Sequence, residues 1–143
     1  MGMFGAIDAA ASGMTAERLR LDVISNNIAN ANTTRTSEGG PYRRQFVTFE
    51  PRPGESVFSN SLKKQIQLNG VKVTGISKDD SPLRMIYEPG HPDADTDGYV
   101  KMPNINIVTE MVDMITASRA YEANVASVNV AKSMMLKALE IGK

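Results

Sequence analysis

The stretch NINIVTEMVDMITASRAYEANVASVNVAKSMMLKALEI, residues 104–141, has the clearest pattern in the chain and decides the fold. Side chains that fit a helical seam recur in an a/d heptad register, with two polar interruptions. This row comprises Ile107, Met111, Met114, Ser118, Tyr121, Val125, Val128, Lys132, Met135 and Leu139. Pro103 precedes the stretch and Gly142 follows it, as is typical of a helix start and stop. We therefore predict a C-terminal helix roughly 55 Å long, at about 1.5 Å per residue.

A second helix is predicted over about residues 3–30. Ile7, Met14, Leu21 and Ile28 are spaced seven apart and form one row, with small residues crowded at positions 9–13. Such a row is typical of packing along a helical partner. We expect this helix to end in the Asn- and Thr-rich residues 30–34, because short polar side chains compete for backbone hydrogen bonds.

The middle of the chain loses the helical period. Gly and Pro punctuate short runs rich in β-branched and aromatic residues, which predict strands at 42–50, 71–77, 83–87 and 99–101. Asn69–Gly70 indicates a hairpin turn. The fold class is therefore α+β, with long N- and C-terminal helices forming a coiled-coil-like pair around a small β-rich middle domain. The predicted regions are an N-terminal axial helix (1–33), the middle domain (34–102) and a C-terminal axial helix (103–143).

Composition narrows the function classes. The 143 residues carry 16 basic and 16 acidic side chains, a balance that argues against nucleic acid or an anionic membrane as the main partner. There is no Cys, so disulfides and thiolate metal sites are excluded. No apolar run approaches the roughly 18 residues of a membrane span. The start of the sequence also lacks the basic front end of a Sec signal, so we expect any export to use another route.

Both predicted helices carry second apolar rows that one partner helix would not cover. In the C-terminal helix this row includes Val108, Val112 and Ile115. Partner chains are the simplest cover, so the pattern favours an assembly.

Chemical motifs are weak. Asp93, Asp95 and Asp97, followed by Gly98, resemble the first half of an EF-hand calcium loop, but position twelve is Asn104 and not Glu. A solvated turn is the stronger interpretation. His91 is the only His, and no nucleophile elbow or phosphate-binding loop is present. The basic residues Arg43, Arg44, Lys63 and Lys64 come as isolated pairs and are interpreted as a solvated face. We predict no catalytic site, no metal and no cofactor.

The most distinctive segment is SNNIANANT, residues 25–33. An Asn-rich helix end is ordinary by itself. This string, however, resembles the S-x-N-[LI]-A-N-x-x-T signature of the flagellar rod, hook and hook-associated family. The matching positions are Ser25, Asn27, Ile28, Ala29, Asn30 and Thr33.

A second similarity lies in residues 106–115 and 118–124, which look like the C-terminal motif of the same family. Residues 39–45, 91–95 and 137–142 are similar to a proximal rod branch. Many family members place a Gly-Tyr pair directly after the first motif. Here residues 35–41 intervene before Tyr42, as in that branch.

The resemblance implies a structural subunit of the proximal rod of the bacterial flagellar basal body. It implies type III export without a cleaved signal, and terminal helices that assemble into a tubular shaft enclosing the export channel and transmitting torque. The implied partners are other copies, other rod proteins, the export gate or basal-body base, and hook–basal-body components. The alternative is a soluble adaptor whose helical hairpin binds a partner's amphipathic helix; an enzyme is a distant third.

Overall fold

The computed structural model describes residues 3–53 and 68–142. Two long helices flank four strands in the order α1 (Met3–Ala29), β1 (Gln45–Pro53), β2 (Leu68–Lys78), β3 (Arg84–Tyr87), β4 (Tyr99–Met102) and α2 (Ile107–Ile141). The predicted α+β class, with terminal helices and a β-rich middle, is confirmed. In the part of the chain that the structure describes, neither helix is long and apolar enough to cross a membrane.

The chain forms two compact units. The first unit comprises Met1–Leu19, Thr48–Gly75 and Ala117–Lys143; the second comprises Arg20–Val47 and Ile76–Thr116. Each unit combines segments from all three predicted regions. The division into 1–33, 34–102 and 103–143 therefore stays a prediction about roles in an assembly.

The end of α1 follows from its Asn-rich sequence. The Asn30 backbone N–H still donates to the carbonyl four residues back, that of Asn26, at 3.1 Å. The Ala31 N–H instead donates to the carbonyl only three residues back, that of Ile28, at 3.2 Å. The Asn30 side chain also donates to the Asn26 carbonyl at 2.9 Å and accepts from the Thr33 hydroxyl. These local bonds satisfy the last carbonyls of the helix and turn the chain.

The start of α2 is set by Asn106. Its side-chain oxygen accepts from the Val108 N–H at 3.0 Å, and its carbonyl accepts from the Glu110 N–H at 3.0 Å, which is N-cap geometry. We predicted a start at Asn104, which is three residues early. The Asn104 side chain instead accepts from the Arg44 N–H at 2.9 Å, and Ile105 is buried.

The strands form two two-stranded sheets, β1–β2 and β3–β4. In the antiparallel β3–β4 pair, Ile86 lies opposite Val100 and Tyr87 opposite Tyr99. The two Tyr rings meet edge to face, with centroids 5.3 Å apart.

The Asn69–Gly70 prediction is wrong, because both residues lie inside β2. Gly70 has φ +95°, which an L side chain rarely adopts. A Cβ there would also meet the Ser12 hydroxyl and lie 3.1 Å from the Ala9 Cα. The Ser12 hydroxyl accepts from the Val71 N–H at 3.1 Å and donates to the Ala9 carbonyl at 2.7 Å. Gly70 thus lets a strand backbone approach α1 closely.

The two units bury different side chains. Those buried in the described part of the first unit are Ala10, Ala16, Ala117 and Ala131. The second unit buries larger and polar groups besides two small residues, and its buried residues are Val23, Ile24, Asn27, Ala31, Gly98, Val100, Pro103, Ile105 and Glu110.

Candidate functional site

The second unit contains a buried polar cluster centred on Asn27, a residue of the N-terminal signature. Its side-chain NH₂ donates to the Gln45 carbonyl at 2.8 Å and to Glu110 Oε2 at 2.9 Å. Its side-chain oxygen accepts from the Gln45 N–H at 3.0 Å and from the Tyr42 hydroxyl at 3.2 Å. The amide therefore uses both of its donor hydrogens and both acceptor positions. It thus bonds to both the N–H and the carbonyl of Gln45, the first residue of β1, and also to Glu110 of α2.

Glu110, in the first turn of α2, is fully buried. Its Oε1 accepts from Arg44 Nε at 2.6 Å, while its Oε2 accepts from Asn27. A buried carboxylate is tolerated when a cation and hydrogen bonds compensate it. The positive end of the helix dipole favours a negative charge at this position as well. Glu110 therefore depends on both Arg44 and Asn27.

Arg44 faces three carboxylates. Besides Glu110, its NH2 donates to Asp113 Oδ2 at 3.3 Å, and its NH1 lies 4.0 Å from Asp79 Oδ2. The Ser81 hydroxyl and N–H, which both donate to Asp79, hold the pKa of that carboxyl below its usual range, with a smaller contribution from Arg44. We interpreted Arg44 as part of a solvated face, and this prediction is wrong, because its guanidinium pairs with buried Glu110. Lys63 and Lys64, the other pair in that prediction, lie outside the described residues.

Tyr42 completes the arrangement. Burial raises the pKa of its hydroxyl, and the nearby charge of Glu110 raises it further. The protonated hydroxyl donates to Asn27. We call Asn27, Tyr42, Arg44 and Glu110 the polar hub. The hub satisfies its own charges and hydrogen bonds, so its arrangement is suited to holding segments together.

The other signature residues lie outside the hub. Ser25 and Ala29 are exposed and Ile28 is half-buried. Asn30 and Thr33 bond to each other at the helix end. The sequence similarity thus marks six positions, and the structure gives one of them a central contact.

Sequence reasoning missed Glu110, Arg44 and Tyr42 as partners of Asn27. One signal was available for Glu110, which stands seven residues before Ala117, in the row that becomes buried. A carboxylate in such a row indicates a buried charge with a partner. Nothing in the spacing identifies Arg44 as that partner.

The predicted seam residues have mixed exposure. On α1, Ile7, Met14, Leu21 and Ile28 are all half-buried. On α2, Met114, Tyr121, Val125, Val128 and Met135 are half-buried, whereas Ile107, Met111 and Leu139 are exposed. The buried positions of α2 are instead Glu110, Ala117 and Ala131. The seam as an assembly surface therefore stays a prediction.

The calcium-loop candidate gains no support from the geometry. Asp93, Asp95 and Asp97 are exposed. Asp93 accepts from the Thr34 hydroxyl at 2.8 Å, and Asp95 accepts from the Thr96 N–H at 2.8 Å. Across residues 3–53 and 68–142, no group of three or more His, Cys, Asp or Glu side chains is placed to hold a metal ion.

Comparison with known proteins decides the family. Residues 7–35 match the family model "Flagella basal body rod protein", and residues 96–141 match "Flagellar basal body rod FlgEFG protein C-terminal". The chain is 52% identical to flagellar basal-body rod protein FlgC of Borreliella burgdorferi, over 99% of this chain and 98% of that protein. It is 45% identical to FlgC of Bacillus subtilis and 40% identical to FlgC of Salmonella typhimurium, each over the full length of both chains. The chain belongs to the FlgC family of flagellar basal-body rod proteins.

FlgC family membership confirms the predicted resemblance and makes the chain a structural rod subunit of the flagellar basal body, not an enzyme. It also favours the rod interpretation over the soluble adaptor. The two matched regions each contain one end of the buried contact, Asn27 and Glu110. Arg44 lies outside both matched regions. The polar hub thus joins the two regions that match the flagellar rod family models.

Proposed function

We propose that this chain assembles into the proximal rod through its terminal helices, packing against further copies and other rod proteins to form the wall of a tubular shaft. One observation carries the proposal. Val108, Val112 and Ile115 are 70%, 57% and 58% exposed and form one row on α2, on the side away from buried Glu110 and Ala117.

Such a row is costly to leave in water. Each of these side chains is worth about 1.5–3 kcal/mol when fully buried. A contiguous exposed apolar row of this kind marks a surface that packs against another protein. The C-terminal turns of α2 repeat the feature with Val130, Met134 and Ile141, which are also exposed.

The first unit supports the same proposal. The buried residues in the described part of this unit are all Ala, which contribute little apolar area, while large apolar side chains on α2 remain exposed. Packing against neighbouring subunits would supply the missing burial. In such a wall, close-packed helices supply stiffness and carry torque without chemistry.

The remaining features of the proposal rest on the resemblance. The chain would be exported by the flagellar type III route without a cleaved signal and would take its place in the periplasm-spanning rod. Its neighbours would include the export gate or basal-body base and hook–basal-body components. The β-rich residues 34–102 would set position, while regions 1–33 and 103–143 assemble through the predicted seam.

The test places a charge in the exposed row. Val112→Asp should leave the fold of one chain intact, because the side chain faces solvent, yet block incorporation into rods. Cells carrying this variant as their sole copy should lose swimming and form no hook–basal bodies. In cells that also carry the wild-type gene, isolated hook–basal bodies should lack the variant chain. Thr109→Asp is the matched control, since Thr109 is an exposed polar residue on the same segment. Normal rods with Val112→Asp would refute the proposal.

Two seam substitutions extend the test. Met114→Asp and Val128→Asp place a charge at half-buried seam positions. Both should block assembly while export continues, which is measured by the amount of chain outside the cytoplasm. Normal motility in both variants would count against the seam.

A further inference from the structure

We propose that Asn27 and Glu110 form a register lock, a pair of positioning residues that specifies which turn of α1 packs against which turn of α2 in the second unit. This inference concerns packing within one subunit and goes beyond the proposed assembly between subunits. Apolar contacts repeat along a helix and discriminate poorly between registers, whereas one buried polar residue can select a single register.

The α1 side of the lock has no substitute in neighbouring turns. A slip of one helical turn, about 5.4 Å, replaces Asn27 with Val23 or Ala31. Both are apolar and buried, and neither can donate to Glu110. Three residues on, the Asn30 amide already donates to the Asn26 carbonyl at 2.9 Å. None of these one-turn slips brings an unengaged amide to Glu110.

The α2 side is equally specific. One turn from Glu110 lie Asn106, which caps the helix, and Met114, which has no acceptor suited to an amide. Asp113, three residues on, is shorter and already accepts from Arg44 at 3.3 Å. Its side chain is also 31% exposed, whereas that of Glu110 is 1% exposed.

The penalty for a wrong register comes from Glu110. In any other packing of α1 on α2 the Glu110 carboxylate loses the Asn27 donor at 2.9 Å, and the Asn27 amide loses that acceptor. A buried charge or amide without partners is strongly unfavourable. The lock therefore acts mainly by destabilising the other registers of α1 on α2. Fixing a register is the best-attested use of a buried polar pair.

The first test exchanges donor and acceptor. Asn27→Asp removes the donor and places a second carboxylate beside Glu110, so incorporation into hook–basal bodies should fall at least about tenfold. Glu110→Gln supplies a side-chain donor. Combining Asn27→Asp with Glu110→Gln should restore part of the incorporation, because the bond between positions 27 and 110 is regained while the donor to the Gln45 carbonyl is not. The matched control is Asn26→Asp, the same change at an exposed neighbour, which should assemble normally.

Two results of this exchange would overturn the lock. One is an Asn27→Asp phenotype no stronger than that of Asn26→Asp. The other is a double variant that assembles no better than Asn27→Asp alone. Export of each variant is measured in parallel, so that loss before assembly is recognised.

The second test separates register from simple stabilisation. Asn27→Leu combined with Glu110→Leu replaces the polar pair by apolar side chains of similar size. Such replacements preserve or raise stability in other buried polar clusters. Because this variant also removes a partner of Arg44 and of the Gln45 backbone, its free energy of unfolding is measured by urea beside its incorporation and must equal or exceed that of the wild type. If the pair selects the register, this variant is exported yet incorporated at least about tenfold less than the wild type. Incorporation at the wild-type level would show that the pair only fills space.

The proposed assembly can fail independently. Normal rods with Val112→Asp would refute the assembly surface, while the Asn27 and Glu110 exchange would still report on packing within the subunit. Conversely, a failed exchange leaves the Val112 result unaffected.

Discussion

The two units of this protein hold their helices by opposite means. In the second unit, α1 and α2 are joined by long polar side chains, with Asn27 and Arg44 both bonded to buried Glu110. In the first unit, α1 and α2 lie so close together that a Cβ on Gly13 would be 2.8 Å from the Asn124 side chain. The residues that the structure shows buried there, within 4–19, 48–52, 70–75 and 117–142, are alanines.

This difference predicts opposite sensitivities. A polar cluster fails when a partner is removed, because the remaining buried charge is left uncompensated. A close approach fails when volume is added, because the added atoms must displace their neighbours. The second unit should therefore be sensitive to loss and the first unit to gain.

The largest effect is expected in the polar hub. Arg44→Met leaves the buried carboxylate of Glu110 without its cation and should lower the free energy of unfolding by about 3–5 kcal/mol. Urea unfolding of the purified chain, followed by circular dichroism, measures this change. Arg43→Met is the control, because Arg43 only donates to two carbonyls at 3.3 and 3.4 Å. An equal loss of unfolding free energy in Arg44→Met and Arg43→Met would show that the second unit is not especially sensitive to loss of a hub residue.

Adding volume at Gly70 should come next. Gly70→Val forces an L side chain into φ +95° and against Ser12 and Ala9, with an expected loss of about 2–4 kcal/mol. Gly75→Val is the matched control in the same strand, since a Cβ there meets nothing within 4 Å. The same unfolding measurement applies. A Gly70→Val chain as stable as Gly75→Val would mean that β2 does not press on α1.

A smaller effect is expected at Gly13. Gly5→Ala should stabilise α1 by about 0.5–1 kcal/mol, because its new methyl group meets nothing within 4 Å. Gly13→Ala brings the same gain in helix propensity but must displace the end of the Asn124 side chain. The difference in thermal midpoint between the two variants measures the cost of that contact. Equal thermal midpoints for the two variants would show that the contact between Gly13 and Asn124 does not restrict residue size.

The smallest effect concerns pH. The pKa of Tyr42 is raised by burial and by Glu110, so the folded chain holds its proton more tightly than the unfolded chain. Stability from this group is therefore complete below about pH 10 and is lost as pH rises through the folded pKa. Tyr42→Phe should show a shallower loss of stability above pH 10 than the wild type. Parallel curves for the two chains would show that the hydroxyl is not held in the hub.

Much of the fold could be predicted from the sequence. The seven-residue rows and the Pro103 and Gly142 signals placed both helices to within a few residues. Runs of β-branched residues placed the four strands. Each of these signals depends only on residues close together in the sequence, and so does the helix or strand that it predicts.

The errors came where a residue serves a distant contact. Gly70 follows Asn69 in a strong turn signal, but its positive φ serves a close approach to Ser12 and Ala9. Arg44 reads as a surface cation until Glu110, 66 positions further along the chain, is placed beside it. Periodicity counts a buried Glu as a gap in an apolar row, so the centre of the site could not be found by pattern alone.

The buried bond between Asn27 and Glu110 also orders the folding of the chain. It joins residues 83 positions apart, whereas the bonds between Asn27 and Gln45 span 18. Loop-closure entropy for 83 residues is about 4 kcal/mol, against about 2.6 kcal/mol for 18. The turn after α1 should thus settle against Asn27 first, and Glu110 should join last. The two helices of the second unit therefore cannot pair until α2 is present. The last folding step is then the binding of the Glu110 carboxylate to the Asn27 amide, which the bonds to Gln45 already hold in place.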